Sequence, residues 1–525
     1  MTLDNTSASF RSAMLTDYYE LTIAYAYFKE GRQDEPSCFD LFYREQPFGG
    51  SFAIFAGLNE AISFLSNYKF SEDQLEFIQK SINGECPEFI EYLRQMDMSK
   101  LRIYAPLEGS VVFPRAPLLR IEGPLAYCQL IETPLLNAIN FPTLMATNAL
   151  RFKIHVGDRK LMEFGLRRAQ GSDGGMSSSK YSYLGLFDCT SNVLAGHLYG
   201  IPITGTVAHS FVSSFYDISQ IHTTKIKHAT TDEMVDLLEY AEIVFKEMNF
   251  KPNRAETVAF ISQAQSYPAN FLALADTYDS IKSGVPNFLG VAYGLHRAGY
   301  RAKGVRLDSG NLAELSKQVR QVYRDFAAHF DLPYAADFII SASNDINEKA
   351  LIRLEETGHE INMFGIGTHL VTCQLQPALG GVYKLVEING HARVKLSNSF
   401  EKITLPFKKM LYRCFDSTGK EIADLLTLSD EEPQPGVLNA FQVYPESKPI
   451  KIECARIEKM YNLVWGVGAI PPESLHQARE RVLKAYNGFN KEVLAVANEK
   501  QYCVAISEKL YEETSKIIDS CRVRK

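Results

Sequence analysis

AKGVRLDSGNLAELSKQVRQVYRDFAAHFDLPYAADFIISASNDINEKALIRLEETGHEINMFGIG, residues 302–367, is the stretch that decides the fold class. Its opening run, AKGVRL (302–307), is strand-like, and LAELSKQVRQVYRDFAAHF (312–330) carries apolar residues at helical spacing. FIISA (338–342) is strand-like again, NEKALIRLEETG (347–358) is a helix stopping at glycine, and INMFGIG (361–367) is a third strand. Strand, helix, strand, helix, strand in succession, with short strands that are apolar throughout, is the pattern of parallel β/α units. That pattern alone leaves open a closed barrel or an open, doubly wound sheet.

The same rhythm runs upstream. KLMEFGL (160–166) and IPITGTV (201–207) read as buried strands, and EMVDLLEYAEIVFKEM (233–248) predicts an amphipathic helix. The flanks differ. Residues 1–125 mix segments such as SFAIFAGLNEAISFL (51–65) with short strand candidates such as LRIYAPLEGSVVF (101–113). GVYKLVEI-NG-HARVKLS (381–397) predicts a β-hairpin around an Asn-Gly turn. A Lys-rich stretch, EKITLPFKKMLYR (401–413), follows it, and 470–525 reads as helices and loops. The expected division is 1–145, 146–375 and 376–525.

Composition narrows the function classes. The 525 residues carry 55 Lys and Arg against 62 Asp and Glu, a net charge of −7 that argues against nonspecific nucleic-acid binding. With 32 Phe and 27 Tyr the chain has ample material for a core. No run of 18 apolar residues occurs, so no membrane helix is expected, and MTLDNTSASFRSAML does not read as a secretory signal. The expected location is the cytoplasm. Nine scattered cysteines contain no Cys-x-x-Cys pair and read as reduced, small hydrophobes, with no thiolate metal site and no disulfide framework.

The polar residues of the middle segment follow directly on its apolar runs: Arg167 and Arg168, Thr206 and His209, Arg306 and Asp308, Asn344 and Asp345, then Gly365, Gly367 and Thr368. In β/α folds the carboxyl ends of parallel strands are where sites assemble, so these exits point to one pocket. FGIGTHL (364–370) either cradles a phosphate on backbone amides or makes a tight turn. GLRRAQGSDGG (165–175) offers adjacent arginines, whose planar forks suit phosphate or carboxylate, or a surface ion pair. In RLDSGN (306–311), Arg306 and Asp308 stand two apart and share a face if extended; Asp308 serves ribose hydroxyls, magnesium or a helix N-cap. His209, in GTVAHSF, is either a satisfied structural histidine or a base or nucleophile steadied by an acid such as Asp276.

Seven stretches, in order, resemble the nicotinate phosphoribosyltransferase family: LTDYYELTIAYAYF (15–28), FDLFYREQPFGGSFAIFAGL (39–58), EFGLRRAQGSDGG (163–175), YSYLGLFDCTSNVLAG (181–196), GIPITGTVAHSFV (200–212), GVRLDSGN (304–311) and FGIGTHLVTCQLQPALGGVYKL (364–385). A weaker echo lies in QYCVAISEKL (501–510). The resemblance implies an irregular β/α barrel of the type II phosphoribosyltransferase kind, plus an α/β sandwich domain built from both chain ends. It implies formation of nicotinate mononucleotide and pyrophosphate from nicotinate and phosphoribosyl pyrophosphate, with coupled ATP hydrolysis and magnesium, as the first step of NAD salvage from nicotinate. It implies a homodimer with shared sites. By resemblance, His209 is the transiently phosphorylated histidine and Asp276 its orienting carboxylate. Tyr19 (from the partner chain), Thr206, Arg306 and Phe164 serve nicotinate. Arg167, Asp308, Asn344, Gly365, Gly367 and Thr368 serve phosphoribosyl pyrophosphate, Asp308 also meeting the metal.

Two positions depart from the family pattern. LPFKK (405–409) lacks the glycine that often follows the proline, and Asn311 stands where Asp is common. Among rivals, a nicotinamide-specific relative would be expected to place an acid near Thr206 to accept the amide, and that acid would repel nicotinate. A barrel sugar-phosphate isomerase or aldolase using Lys384, and a binding protein without catalysis, are the readings from other classes.

Overall fold

The computed structural model describes residues 12–82, 86–395, 404–443, 448–497 and 501–523. Its contacts divide the chain into two compact units: one of residues 1–151, 170–186 and 373–525, the other of 152–169 and 187–372. Residues 170–186, expected in the middle segment, therefore belong with the chain ends.

The unit made from both ends contains two six-stranded sheets. In one, Pro36–Tyr43 lies antiparallel between Gly381–Ile388 and Leu119–Pro124, so strands some 340 residues apart in sequence are hydrogen-bonded neighbours. The predicted hairpin is present: Gly381–Ile388 turns through Asn389 and Gly390, both at positive φ (50° and 74°), into the short arm His391–Ala392. Its residues from 396 onward, and 401–403 of the Lys-rich stretch, lie outside the described residues.

The other sheet runs Pro449–Cys454, Gly436–Gln442, Cys503–Ser507, Glu421–Leu428, Lys409–Phe415 and Arg456–Lys459. Its packed face carries Cys414, Leu425, Ile452 and Ala505. Among the described residues of this unit, two ion pairs have both side chains buried. Lys409 Nζ meets Asp40 Oδ2 at 2.7 Å, and Arg413 grips Asp424 with two hydrogen bonds of 2.8 and 2.9 Å. Lys409 also donates to the carbonyls of Leu405 and Phe407. Phe407, which follows Pro406, adopts φ 69°, the left-handed conformation that glycine takes without steric cost.

The other unit is built on six parallel strands in the order Leu272–Leu274, Gly304–Leu307, Ile339–Ala342, Met363–Ile366, Lys160–Glu163, Cys189–Thr190. This is the irregular β/α barrel, with helices Leu312–His329 and Glu348–Thr357 as crossovers. Asparagine side chains cap both helices, Asn311 through the Glu314 amide and Asn347 through the Ala350 amide. Asn311 therefore serves as a helix cap.

Phe271, Phe288, Tyr323 and Phe338 pack between sheet and helices with ring centroids 5.1 to 5.9 Å apart. Each fully buried ring contributes roughly 1.5–3 kcal/mol. Gly304 has no substitute, because a Cβ there would stand 1.9 Å from the Ile339 carbonyl oxygen of the neighbouring strand.

Two expected elements differ. IPITGTV is not a strand: Pro202 cannot donate to a ladder, and the run makes one parallel bridge, Ile203 to Thr190. The expected helix at 233–248 begins as the strand Met234–Asp236, and Asp236 caps the helix Leu237–Glu247 by accepting from two backbone amides.

Candidate active site

A cavity of about 780 Å³ opens at the carboxyl ends of the parallel strands. The strand Lys160–Glu163 delivers Phe164, Arg167 and Arg168 to it. The turn beyond that strand is held by Glu163, which is fully buried and accepts from the Gly165 amide and the Thr190 hydroxyl. The loop after Ile203 supplies Gly205, Thr206, Val207 and Ala208. Arg306 and Asp308 come from the strand Gly304–Leu307 and its exit, Ser343, Asn344 and Asp345 from the next, and Gly365, Gly367 and Thr368 from the last.

Arg306 is held by two acceptors. Its Nη1 donates to Thr206 Oγ1 at 2.9 Å and its Nη2 to the Val207 carbonyl at 3.1 Å, while its Nε is buried without a hydrogen-bond partner among the described residues. Burial lowers its pKa from the usual arginine value, but a guanidinium keeps its charge. A planar cation with a donor still to satisfy is suited to a carboxylate.

Asp308 lies beside it, with Oδ1 accepting from Ser343 Oγ at 2.6 Å. Gly365 must be glycine because a Cβ would come within 2.5 Å of the Phe164 ring. The following Gly367 precedes the short helix Thr368–Val371.

His209 opens the helix His209–Ser213 at the cavity's edge. Its Nδ1 lies 3.1 Å from Thr277 Oγ1, and its Nε2 lies 3.7 Å from Asp308 Oδ2 and 3.9 Å from Asp276 Oδ1. The Asp276 side chain is nearly covered, accepts from Ser309 Oγ at 2.6 Å through Oδ2, and has no hydrogen bond at Oδ1 among the described residues.

The structure thus gathers Phe164, Arg167, Thr206, Arg306, Asp308, Asn344, Gly365, Gly367 and Thr368 around one cavity. His209 and Asp276 adjoin it through Asp308. Tyr19 is not in this unit. It stands on the helix Tyr18–Lys29 of the other, half exposed, with its phenol pushed up to about 12 by burial. Sequence reasoning passed over Thr277, Ser309 and Ser343, each next to a residue it singled out; adjacency to Asp276, Asp308 and Asn344 was the available signal.

Among the described residues no cluster of three or more His, Cys, Asp or Glu forms a metal cage, and no helix is long and apolar enough to cross a membrane. The eight described cysteines are free thiols.

Solved structures that share this architecture include a phosphoribosyltransferase and a nucleotide pyrophosphorylase. The crystal structure of human nicotinic acid phosphoribosyltransferase superposes with a TM-score of 0.84 at 38% identity, covering 95% of this chain and 99% of that one. A nicotinate-nucleotide pyrophosphorylase from Pyrococcus furiosus shares the fold, with a TM-score of 0.60 at 17% identity over 92% of this chain and 97% of that one. The fold is that of the type II phosphoribosyltransferases.

Residues 14–140 match the nicotinate phosphoribosyltransferase N-terminal domain and 408–514 the corresponding C-terminal domain. The nicotinate phosphoribosyltransferase of Dictyostelium discoideum is 44% identical over 96% of this chain and 87% of its own length, and the Homo sapiens enzyme 41% identical over 95% of each. The chain belongs to the nicotinate phosphoribosyltransferase family.

Proposed function

We propose that the protein joins nicotinate to phosphoribosyl pyrophosphate in the cytoplasm, forming nicotinate mononucleotide and pyrophosphate, as the first step of NAD salvage from nicotinate. The observation that carries this reading is the Arg306–Thr206 pair, a cation bound to a neutral hydroxyl at the cavity wall. It leaves net positive charge for the carboxylate of nicotinate, whereas an acid at 206 would cancel that charge. Phe164 and Tyr19 serve the pyridine ring, Tyr19 coming from the second subunit of a homodimer.

Displacement at the anomeric carbon passes through an oxocarbenium-like state, as in glycoside chemistry, with the pyridine nitrogen as nucleophile and pyrophosphate as leaving group. This calls for positioning and charge stabilisation more than for a strong base. Asp308 and Asn344 hold the ribose, Arg167 the anionic groups, and the Gly365–Thr368 turn the 5′-phosphate. Asp308, a carboxylate on the cavity wall beside the phosphate positions, suits magnesium, which takes one or two carboxylates and completes its shell with phosphate oxygens and water. When bound there, the ion neutralises pyrophosphate charge.

ATP hydrolysis is coupled through His209. With Nδ1–H donating to Thr277 Oγ1, Nε2 presents a lone pair that attacks the γ-phosphorus, ADP departs, and the Asp276 and Asp308 carboxylates offset the ring's positive charge. The test is nicotinate mononucleotide formation with and without ATP, for wild type and His209→Ala. Stimulation of the wild type alone supports the phosphohistidine. Turnover of nicotinamide in place of nicotinate overturns the substrate, and no turnover of either base overturns the reaction.

A further inference from the structure

The two loops that close the phosphate end of the cavity come from adjacent parallel strands, Ile339–Ala342 and Met363–Ile366, registered at Ser341 to Met363 and Ala342 to Phe364. Beyond that register no ladder joins them. The first loop is fixed along its length: the Ser343 amide donates to the Leu307 carbonyl, Ile346 is buried, and Asn347 caps the next helix. Between these anchors, Asn344 and Asp345 both take positive φ, 115° and 49°. That backbone is uncommon for residues with a side chain and persists only where the surroundings impose it. It projects the Asp345 carboxylate, 75% exposed, toward the second loop.

There His369, in the first turn after Gly367 and Thr368 and only 16% exposed, meets Asp345 Oδ1 with its Nε2 at 2.9 Å. A carboxylate accepts, so Nε2–H donates.

We propose that Asp345 and His369 form a clasp that sets the gap between the two loops and so positions the Gly365–Thr368 turn for the 5′-phosphate of the phosphoribosyl donor. The clasp also occupies a carboxylate that would otherwise present its charge to an incoming phosphate. Both are positioning residues acting through the turn, and the inference rests on the phosphoribosyl reading of the cavity.

Binding of ribose 5-phosphate, followed by titration calorimetry, tests it without requiring turnover. Asp345→Ala and His369→Ala are each expected to weaken binding about tenfold. The double variant is expected to be no weaker than the weaker single, because either single change already removes the Asp345–His369 contact. Asp345→Asn, whose amide oxygen still accepts from Nε2–H, is expected to restore most of the loss. In turnover assays the KM for phosphoribosyl pyrophosphate is expected to rise while the KM for nicotinate and the melting temperature stay at wild-type values.

Losses that add in the double variant, a nicotinate KM that rises equally, or wild-type affinity in both alanine variants would each overturn the clasp. Failure of the wild type to bind ribose 5-phosphate would remove the phosphate turn and the clasp with it. Intact binding without nicotinate turnover would remove the reaction alone.

Discussion

Arg306 Nη1 donates to Thr206 Oγ1 across 2.9 Å, joining a strand exit to a loop separated from it by a hundred residues. The hydroxyl holds the guanidinium in place without neutralising it. Thr206→Asp would put a carboxylate at hydrogen-bonding distance from Arg306 and cancel the charge that attracts an acid substrate. The expected outcome is a rise of about tenfold or more in the KM for nicotinate, equivalent to ~1.4 kcal/mol, with preference shifting toward nicotinamide. Competition between the two bases in one reaction checks this, and an unchanged ratio refutes it.

Asp276 faces His209 with an oxygen that has no hydrogen bond among the described residues. Asp276→Asn keeps the shape and removes the charge. The ATP-stimulated rate is expected to fall about tenfold, the worth of ~1.4 kcal/mol of electrostatic support. The rate without ATP should stay near wild type, because Asp276 does not line the cavity. Equal loss in both rates would place Asp276 in the displacement itself.

Phe407 sits at φ 69°, a conformation that favours glycine. A residue with a Cβ in that conformation costs about 1–2 kcal/mol, and alanine relieves none of it. Phe407→Gly is therefore expected to be more stable than Phe407→Ala by about 1 kcal/mol, the reverse of the usual order. Thermal melts of the two variants side by side decide it; alanine melting higher would show that the backbone relaxes.

Glu256 is fully buried, accepts from Ser283 Oγ and Asn287 Nδ2, and has Oε1 without a hydrogen bond among the described residues. Burial raises its pKa from 4.5 to about 7. A raised carboxyl pKa means the folded state binds the proton more tightly. The stabilisation is full below pH 4.5 and is lost as pH rises through 7, by roughly 3 kcal/mol at most. Glu256→Gln is expected to abolish that slope, so the gap in melting temperature between variant and wild type should widen in the variant's favour from pH 5 to pH 8. Parallel curves would show Glu256 ionised throughout.

The barrel unit was legible because its information is local. Short apolar strands, helix periods and polar exits lie within one run, and Arg306 and Asp308 both reach the cavity as their spacing suggested. IPITGTV misled because its apolar content is that of a strand, while Pro202 denies it a ladder. The exit motifs named the residues around the cavity but not their supports. Thr277, Ser309 and Ser343 are small hydroxyls whose roles depend on distance, and no spacing rule marks the meeting of Asp345 with His369. Nor could periodicity foresee that Pro36–Tyr43 pairs with Gly381–Ile388, because pairing between distant strands leaves no local trace.

That pairing has a consequence for biosynthesis. Pro36–Tyr43 leaves the ribosome long before its partner Gly381–Ile388, with roughly 340 residues still to be made, an interval of some tens of seconds at ordinary elongation rates. During that interval one edge of a mostly buried, apolar strand has no neighbour, whereas every strand of the barrel has been synthesised once Ile366 is added. The nascent chain therefore completes its parallel sheet before its N-terminal sheet, and the exposed edge of Pro36–Tyr43 is where a chaperone or a second nascent chain would act.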